Sequence, residues 1–174
     1  MSLGLPKHKV SVHPYNPEWP RLYEEEANRL GLALGDRILA IEHVGSTAIP
    51  GLDSKPIIDI AIAIEDFEVA FDYIPLMAEL GYQFRGEQGV PERHFFILGR
   101  PRTHHVHMGE ITSLDWIQRL AFRDYLRAHP EEVREYQELK HRLAQEFPND
   151  LTNYSLGKKA FIEAIVHKAS DQTE

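Results

Sequence analysis

One acidic residue, Asp59, interrupts the otherwise apolar run from Ile57 to Ile64. A run of this kind is typical of a central strand that is buried on both faces. Burial of an unpaired carboxylate costs on the order of several kcal/mol, so Asp59 is expected to hold a metal ion or to pair with a cation. The alternative is a framework role, in which Asp59 lies at the strand end and pairs with Lys55.

A second group of residues that could bind a ligand, Gly45-Ser46-Thr47, directly follows the strand that is predicted for residues 38–44. A glycine at such a point lets the backbone approach a ligand closely, and the two hydroxyl groups can bind phosphate. Taken alone, the same three residues predict no more than a turn.

The two groups together resemble the signature of the nucleotidyltransferase superfamily, in which Gly-Ser precedes an aspartate on an apolar strand; here twelve residues separate Ser46 from Asp59. A finer resemblance, to the GrpB-like family of that superfamily, covers about residues 10–169. The segments that carry it are Tyr15–Trp19, His43–Leu52, Lys55–Ile60, His105–His107, Phe122–Arg127, and Tyr154 with Lys158. In the superfamily, Gly-Ser opens a short helix beneath a triphosphate and the aspartate holds divalent metal.

The resemblance implies an α/β (α+β) fold: a nucleotidyltransferase-type mixed sheet flanked by helices, with a C-terminal helical layer. We expect a single domain over residues 10–169 and a disordered segment over residues 1–9. Strands are predicted at residues 10–12, 38–44, 57–64, 82–84, 93–98 and 104–108, the later ones antiparallel because their turns are short. Helices are predicted at residues 16–34, 66–80, 113–128, 130–147 and 151–169.

The superfamily usually carries a second acid two residues after the first, and here that position is Ala61. Nucleotidyl transfer usually employs two metal ions, which a single carboxylate cannot hold. His105 and His107 are spaced to project to one face of a strand, near the place of the superfamily's third acid. Imidazole ligands would shift the preferred metal from Mg toward Mn or Zn. The alternative is a solvent-facing histidine pair, and Glu42 and His94 are interpreted as framework residues.

The resemblance also implies a helix that sends a lysine or tyrosine toward the phosphates. Tyr154 and Lys158 are four residues apart, which predicts a shared helix face. The alternative for them is a packing tyrosine beside a salt-bridged surface lysine. The candidate substrate-binding residues are therefore Gly45, Ser46, Thr47, Lys55, Tyr154 and Lys158; the candidate catalytic residues are Asp59 and His107; and the candidate metal ligands are Asp59, His105 and His107.

The chain has a formal net charge of −8, from 27 acidic residues against 19 lysines and arginines. An acidic surface repels polyphosphate chains, so no nucleic-acid partner is expected. A smaller basic set can still bind one anionic ligand if its members converge: Lys55, Arg85, Arg93, Arg100 and Arg102. Arg123 and Arg127 share a helix face but have acidic neighbours, so we interpret them as surface ion pairs.

The chain contains no cysteine, which excludes disulfides and thiolate metal sites. No apolar run approaches the ~20 residues that a membrane helix requires, and the N-terminal residues show no secretory pattern. We therefore expect a soluble, cytoplasmic protein with no membrane association.

Three functions remain open at this point. The first is a nucleotidyltransferase that uses divalent metal (Mg, Mn or Zn) to transfer a nucleotide to a small-molecule or protein acceptor. The second is a nucleotide-binding regulatory module that has lost the chemistry, which Ala61 favours. The third is a histidine-metal phosphohydrolase, which only the His105–His107 pair favours.

Overall fold

A computed structural model describes residues 3–172 of the chain. Its strands are β1 (Ala40–Val44), β2 (Ile58–Ile64), β3 (Gln83–Phe84), β4 (Arg93–Leu98) and β5 (His104–Glu110). They form one mixed sheet in the order β1-β2-β5-β4-β3. β2 and β5 are parallel, and all other neighbours are antiparallel. The antiparallel arrangement that was predicted for the later strands is confirmed.

Six α-helices accompany the sheet in the described part of the chain: α1 (Trp19–Leu34), α2 (Tyr73–Glu79), α3 (Leu114–Ala128), α4 (Pro130–Glu146), α5 (Leu151–Gly157) and α6 (Lys159–Asp171). Short 3₁₀ segments lie at Gly35–Arg37, Ser46–Ala48 and Phe67–Asp72. The side chain of Ser113 caps α3 by accepting a hydrogen bond from the Trp116 amide. Within residues 3–172, every helix is too short or too polar to cross a bilayer.

The inner strand β2 contributes alternately to two layers, as its pattern of side chains predicts. Its isoleucines are buried in a core with Trp19 and Leu30 of α1 and Met77 of α2. The opposite face carries Asp59, followed by two alanines that pack against Trp116 of α3. Asp59 therefore faces the layer that the C-terminal helices form.

The loop between β1 and β2 is anchored in that helical layer. Ile49 and Leu52 are completely buried against Phe122 and Leu126 of α3 and Tyr136 of α4. This apolar packing anchors the middle of the loop and thereby places Gly45-Ser46-Thr47 at the end of β1. The C-terminal helical layer expected from the sequence is thus present and positions the loop.

Four predicted elements differ from the structure. The helix predicted to begin at Asn16 begins at Trp19, because residues 17 and 18 form a turn in which Asn16 Oδ1 accepts from the Glu18 amide. Residues 10–12 form no strand, because the Val10 amide binds the carbonyl of Pro148 and its side chain packs on the C-terminal helices. The helix predicted to begin at Asp66 starts as the 3₁₀ segment Phe67–Asp72. The helix predicted for residues 151–169 is divided at Lys158, just after Gly157, a residue of low helix propensity.

The disordered segment expected over residues 1–9 also differs where the structure describes it. Leu5 is buried and forms a backbone bridge with Arg102, while the Gly4 amide binds the carbonyl of Pro56. An apolar side chain that finds a place in the core accounts for this order. Residues 1 and 2 lie outside the described residues.

Candidate functional site

Asp59 and the two predicted histidines lie together on one face of the sheet. In the parallel pairing of β2 with β5, Asp59 is opposite His105 and Ala61 is opposite His107. Oδ1 of Asp59 accepts hydrogen bonds from His105 Nδ1 and His107 Nε2, both at 3.2 Å. Asp59 and His107 therefore face the same cleft, as the spacing predicted.

The electrostatics of this cluster keep Asp59 ionised. Burial alone would raise the pKa of Asp59, but its hydrogen bonds with His105 and His107 hold that pKa well below the usual range. Burial, together with repulsion from Arg119, lowers the pKa of His107 to about 3. At neutral pH the cluster thus presents a carboxylate beside an uncharged His107 imidazole.

Gly45 makes the turn that brings the loop against Asp59. Its φ of 69° and ψ of −170° belong to a region that is essentially restricted to glycine. A Cβ at position 45 would lie 2.8 Å from Asp59 Oδ2. Ser46 and Thr47 then form the 3₁₀ turn Ser46–Ala48, and the Thr47 hydroxyl shares a 3.0 Å hydrogen bond with His43 Nε2.

Two arginines of α3 hold this turn, a role that their interpretation as surface ion pairs did not include. The predicted pairs are present, since Asp124 pairs with Arg123 at 2.7 Å and with exposed Arg127 at 3.7 Å. Arg123 is only 8% exposed, and its Nη1 donates to Glu42 at 2.6 Å and to the His43 carbonyl at 3.0 Å. Arg127 Nε donates to the Ala48 carbonyl at 2.9 Å. Each arginine is separated from its carbonyl partner by about eighty residues of sequence. No local sequence pattern reveals such a contact.

A group of lysines lies on the same cleft. Burial and the neighbouring Lys55 lower the pKa of Lys158 to about 7, and burial likewise lowers the pKa of Lys55. The ammonium groups lie over the ring of buried Tyr154, 4.5 Å (Lys158) and 5.4 Å (Lys55) from its centre. Tyr154 and Lys158 thus meet as expected, although Lys158 stands at the junction of two helices.

Lys140 of α4 is a third lysine of the cleft, one that was not among the predicted site residues. Lys140 is 2% exposed, and its Nζ donates to the Asp53 carbonyl. Burial, with repulsion from Lys158, lowers its pKa well below the usual range. Lys140 lies four residues after Tyr136 and three before Leu143, so helical spacing on the buried face of α4 is the signal that could have identified it.

At the arginine end of the cleft, Arg93 of β4 and Arg119 of α3 come together. Arg93 is 7% exposed and Arg119 pairs with Asp115 at 2.8 Å. Of the basic residues that were candidates for convergence, Lys55 and Arg93 line the cleft, whereas Arg85, Arg100 and Arg102 are not among its lining residues. Asp115 and Arg119 were not predicted to belong to the site, because an Asp–Arg pair four residues apart is typical of an exposed helix face.

The cleft as a whole has a volume of about 780 Å³. All the candidate residues line it: Gly45, Ser46, Thr47, Lys55, Asp59, His105, His107, Tyr154 and Lys158. Five lysines and arginines face three carboxylates there (Lys55, Arg93, Arg119, Lys140 and Lys158 against Asp59, Asp115 and Glu163). This concentration of basic groups on a chain of net charge −8 favours an anionic ligand, and such a ligand would in turn favour the protonated forms of Lys140 and Lys158.

The donor set of the cluster suits a divalent metal in part. Ligands about 2.1 Å from one cation lie roughly 3.0–3.4 Å apart at octahedral or tetrahedral angles, close to the 3.2 Å from Asp59 to each histidine. His105 Nε2 and His107 Nδ1 are buried without a hydrogen-bond partner among residues 3–172. Yet no group of three or more His, Asp or Glu side chains in that range is arranged to hold a metal by itself. A cation at this cluster would also need oxygen atoms from a bound molecule to complete its coordination.

Glu42 and His94 do not join the cluster of Asp59, His105 and His107. Glu42 is paired with Arg123 at 2.6 Å. His94 lies on the opposite sheet face, surrounded by Phe67, Phe71 and Phe84. Both are framework residues, as the sequence analysis interpreted them.

Comparisons with known proteins agree with this fold. UPF0157 protein YqkA of Bacillus subtilis is 41% identical over 165 residues, which are 94% of this chain but 48% of YqkA, so the chain spans about half of that relative's length. The crystal structure of conserved protein GrpB from Enterococcus faecalis is 36% identical with a TM-score of 0.87, covering 94% of this chain and 99% of that one.

A more distant likeness is to the structure of Cid1 in complex with its short product ApU. It has a TM-score of 0.52 at 15% identity, and it covers 86% of this chain and 48% of that one. This likeness shows the fold alone, which is of the nucleotidyltransferase type. The family model described as "GrpB protein" matches residues 9–168. The chain therefore belongs to the GrpB family.

Proposed function

We propose that this protein is a metal-dependent nucleotidyltransferase, which transfers a nucleoside monophosphate from a nucleoside triphosphate to a small-molecule or protein acceptor. The observation that carries the proposal is the position of Asp59. It lies against the Gly45 turn, accepts hydrogen bonds from two histidines and shares one cleft with Lys55 and Lys158. This arrangement offers phosphate ligands and a metal ligand within one cavity of nucleotide size.

The triphosphate would lie between the turn and the lysines. Ser46 and Thr47 supply hydroxyl groups at the start of the turn, and the backbone at Gly45 leaves room for close approach. The ammonium groups of Lys55 and Lys158 would neutralise phosphate charge, and burial strengthens that attraction. A bound anion would in turn favour the protonated form of Lys158.

Asp59, with His107 and His105, would hold a divalent cation jointly with phosphate oxygens. Mg is commonly bound in this way, through one or two carboxylates plus substrate phosphates, and the imidazoles would favour Mn or Zn. When bound, the cation would withdraw electron density from the phosphoryl group and neutralise developing charge.

In the transfer itself, an acceptor oxygen or nitrogen attacks the α-phosphorus. A bond from the acceptor to phosphorus forms, the bond between the α-phosphorus and its bridging oxygen breaks, and pyrophosphate leaves. The acceptor releases its proton to solvent. The chain's own residues contribute by positioning the phosphates and by stabilising the charge that develops on them.

The acceptor is a small molecule or another protein rather than a nucleic acid. The net charge of −8 disfavours a polyanionic strand, whereas the five lysines and arginines that line the cleft suit one small anionic ligand. A nucleotide and one small group would occupy much of the 780 Å³.

A specific observation favours a second candidate, a nucleotide-binding module without catalysis. Ala61, at the place of the superfamily's second acid, is 1% exposed and packs against Val44 and Trp116. A module of this kind would keep the phosphate contacts and would respond to nucleotide without consuming it.

The test begins with thermal unfolding in the presence of each nucleoside triphosphate, with Mg, Mn, Zn or EDTA. A ligand at ~100 times its dissociation constant adds about 2.7 kcal/mol, which shifts the melting temperature measurably. Turnover is then followed as pyrophosphate release with candidate acceptors. Phosphate or pyrophosphate release without any acceptor would instead indicate a histidine-metal phosphohydrolase.

The decisive variants are Asp59→Asn and His107→Ala. Each is expected to reduce turnover far more than nucleotide binding, because a metal that stabilises the transition state acts mainly on rate. His104→Ala is the matched control, since it lies on the same strand with its side chain toward α1. Clear nucleotide binding with no turnover under any condition would contradict the transferase and support the nucleotide-binding module without catalysis.

A further inference from the structure

The arginine end of the cleft contains a charged group with unused hydrogen-bonding capacity. Arg93 lies on β4 two residues before Phe95, which is opposite His107, so Arg93 and His107 share a face of the sheet. Its side chain is 7% exposed, and its Nη2 donates to the Glu87 carbonyl at 2.8 Å. Nε of Arg93 is buried and has no hydrogen-bond partner among the described residues. A buried donor of this kind is costly unless a ligand satisfies it.

Arg119 of α3 completes the pair. Its Nε donates to Asp115 at 2.8 Å, and neither Nη1 nor Nη2 has a hydrogen bond to any residue of the described range. Burial and the charge of Arg119 together lower the pKa of Arg93 to about 10. The two guanidinium groups repel each other, and the carboxylates of Asp115, Asp59 and Glu87 offset that repulsion at Arg93. A bound anion would relieve the repulsion further and would satisfy the unused donors.

These arginines lie in the same cavity as the proposed chemistry. Arg93, Arg119 and Asp115 line the main cleft together with His107. Asp59 interacts electrostatically with both Arg93 and Lys158. The cleft thus has two cationic groups, one of lysines and one of arginines, which share Asp59.

The two groups differ in the anions that they suit. Lysine ammonium groups act as mobile point charges and tolerate the varied geometry of a polyphosphate. Guanidinium groups form a rigid planar fork, which matches one carboxylate or phosphate group by paired hydrogen bonds. We propose that Arg93 and Arg119 bind a carboxylate or phosphate group of the acceptor, so that the acceptor is a small anionic molecule. The assignment to the acceptor rests on the proposed function, whereas the anion site itself does not.

The test is arginine-selective NMR of the full chain, without nucleotide or metal. Nε–Hε signals are assigned with Arg93→Lys and Arg119→Lys, and sodium succinate and inorganic phosphate are titrated separately against sodium chloride at equal ionic strength. We expect a saturable shift of the Arg93 signal, and none for exposed Arg100. A response to succinate alone identifies a carboxylate, a response to phosphate alone identifies a phosphate group, and a response to both supports a shared oxyanion site.

Arg119→Lys keeps the positive charge but removes the planar guanidinium group and its paired N–H donors. Because the Arg93 reporter remains, binding is expected to weaken at least about tenfold in this variant, as for the loss of a charge-assisted hydrogen bond. No saturable shift at Arg93, or a shift that disappears in Lys158→Met, would overturn the inference, since the anion would then occupy the lysine group. Failure of nucleotide turnover with a normal Arg93 response would refute the proposed function alone.

Discussion

Gly45 lies directly against Asp59, so that a Cβ at position 45 would come within 2.8 Å of Oδ2 and 3.0 Å of the aspartate Cβ. Register brings them together, since Val44 is opposite Asp59 in the antiparallel pairing of β1 with β2. The sequence alone suggested that this glycine leaves room for an anion. The structure adds a second reason, namely that the turn and the carboxylate must fit against each other.

Gly45→Ala is therefore expected to destabilise the fold and to displace Asp59. The backbone there has a conformation nearly exclusive to glycine, so strain alone costs about 1–3 kcal/mol, and the contact with Asp59 adds to it. Urea unfolding measures the loss, and the nucleotide-induced thermal shift measures the effect on the site.

Gly51→Ala is the matched control. Gly51 also has a positive φ, of 79°, but a Cβ there would meet nothing within 4 Å. It shares the backbone strain without the contact, so it should leave the nucleotide-induced shift intact. Equal loss of that shift in both variants would show that strain in the loop, rather than the Gly45–Asp59 contact, governs binding.

The low pKa of Lys158, about 7, predicts pH-dependent anion binding. Burial and Lys55 disfavour the ammonium form, whereas Asp59 and a bound phosphate favour it. An anion therefore raises this pKa, and binding takes up a proton where the free lysine is neutral. Affinity for inorganic triphosphate should fall as the pH rises above about 7, and calorimetry at pH 8 in two buffers of different ionisation enthalpy should show proton uptake.

Lys158→Met should remove most of this pH dependence, leaving the smaller part due to Lys55, whose pKa is also lowered. Lys159→Met provides the comparison, because Lys159 is exposed and pairs with Glu163 at 3.7 Å. Proton uptake that persists undiminished in Lys158→Met would assign the titration to another group of the cleft.

Much of the site could be predicted because it depends on strand periodicity. An apolar run with a single acid identifies β2, and His105 and His107, two residues apart on a strand, necessarily share a face. Parallel pairing of β5 with β2 then brings these three side chains together. The apolar face of β2 likewise fixes which side of the sheet carries the site.

The rest depends on contacts between distant segments. Arg123 and Arg127 look like members of surface ion pairs, and only the packing of α3 on the β1–β2 loop shows that they hold the Ser46–Ala48 turn. Helical spacing places Lys140 on the buried face of α4, but its contact with the Asp53 carbonyl joins segments 87 residues apart. Val10 alternates with polar residues as a strand would, yet its amide binds Pro148 far along the chain. Local periodicity does not specify such partners.

Arg127→Met tests the support of the turn. The change removes the donor to the Ala48 carbonyl, a residue that is 4% exposed, at a cost of about 1 kcal/mol because Arg127 itself is partly solvated. A looser turn should weaken inorganic triphosphate binding several-fold, as measured by calorimetry. Arg134→Met, at an exposed position of α4, should change neither quantity. Normal binding in Arg127→Met would mean that the buried loop residues hold the turn unaided.

The last prediction concerns the missing acid at position 61. Ala61 shares a sheet face with Asp59, lies opposite His107 in the register and is 1% exposed. Ala61→Asp should therefore destabilise the protein by roughly 2–4 kcal/mol, the cost of a buried polar group without a full set of partners. Because two carboxylates on one strand face supply oxygen ligands for a hard cation, Mg should restore part of that stability.

Ala63→Asp separates the metal effect from simple burial. Ala63 lies on the same face and is completely buried, but it is two residues further from Asp59. Melting temperatures with Mg, and with sodium chloride at equal ionic strength, should show a Mg-dependent gain for Ala61→Asp and none for Ala63→Asp. Equal gains would mean that Mg screens a buried charge nonspecifically. A gain confined to Ala61→Asp, together with Mg-dependent turnover above that of the wild type, would indicate that the family has retained the metal-binding geometry of this strand face while dispensing with its second acid.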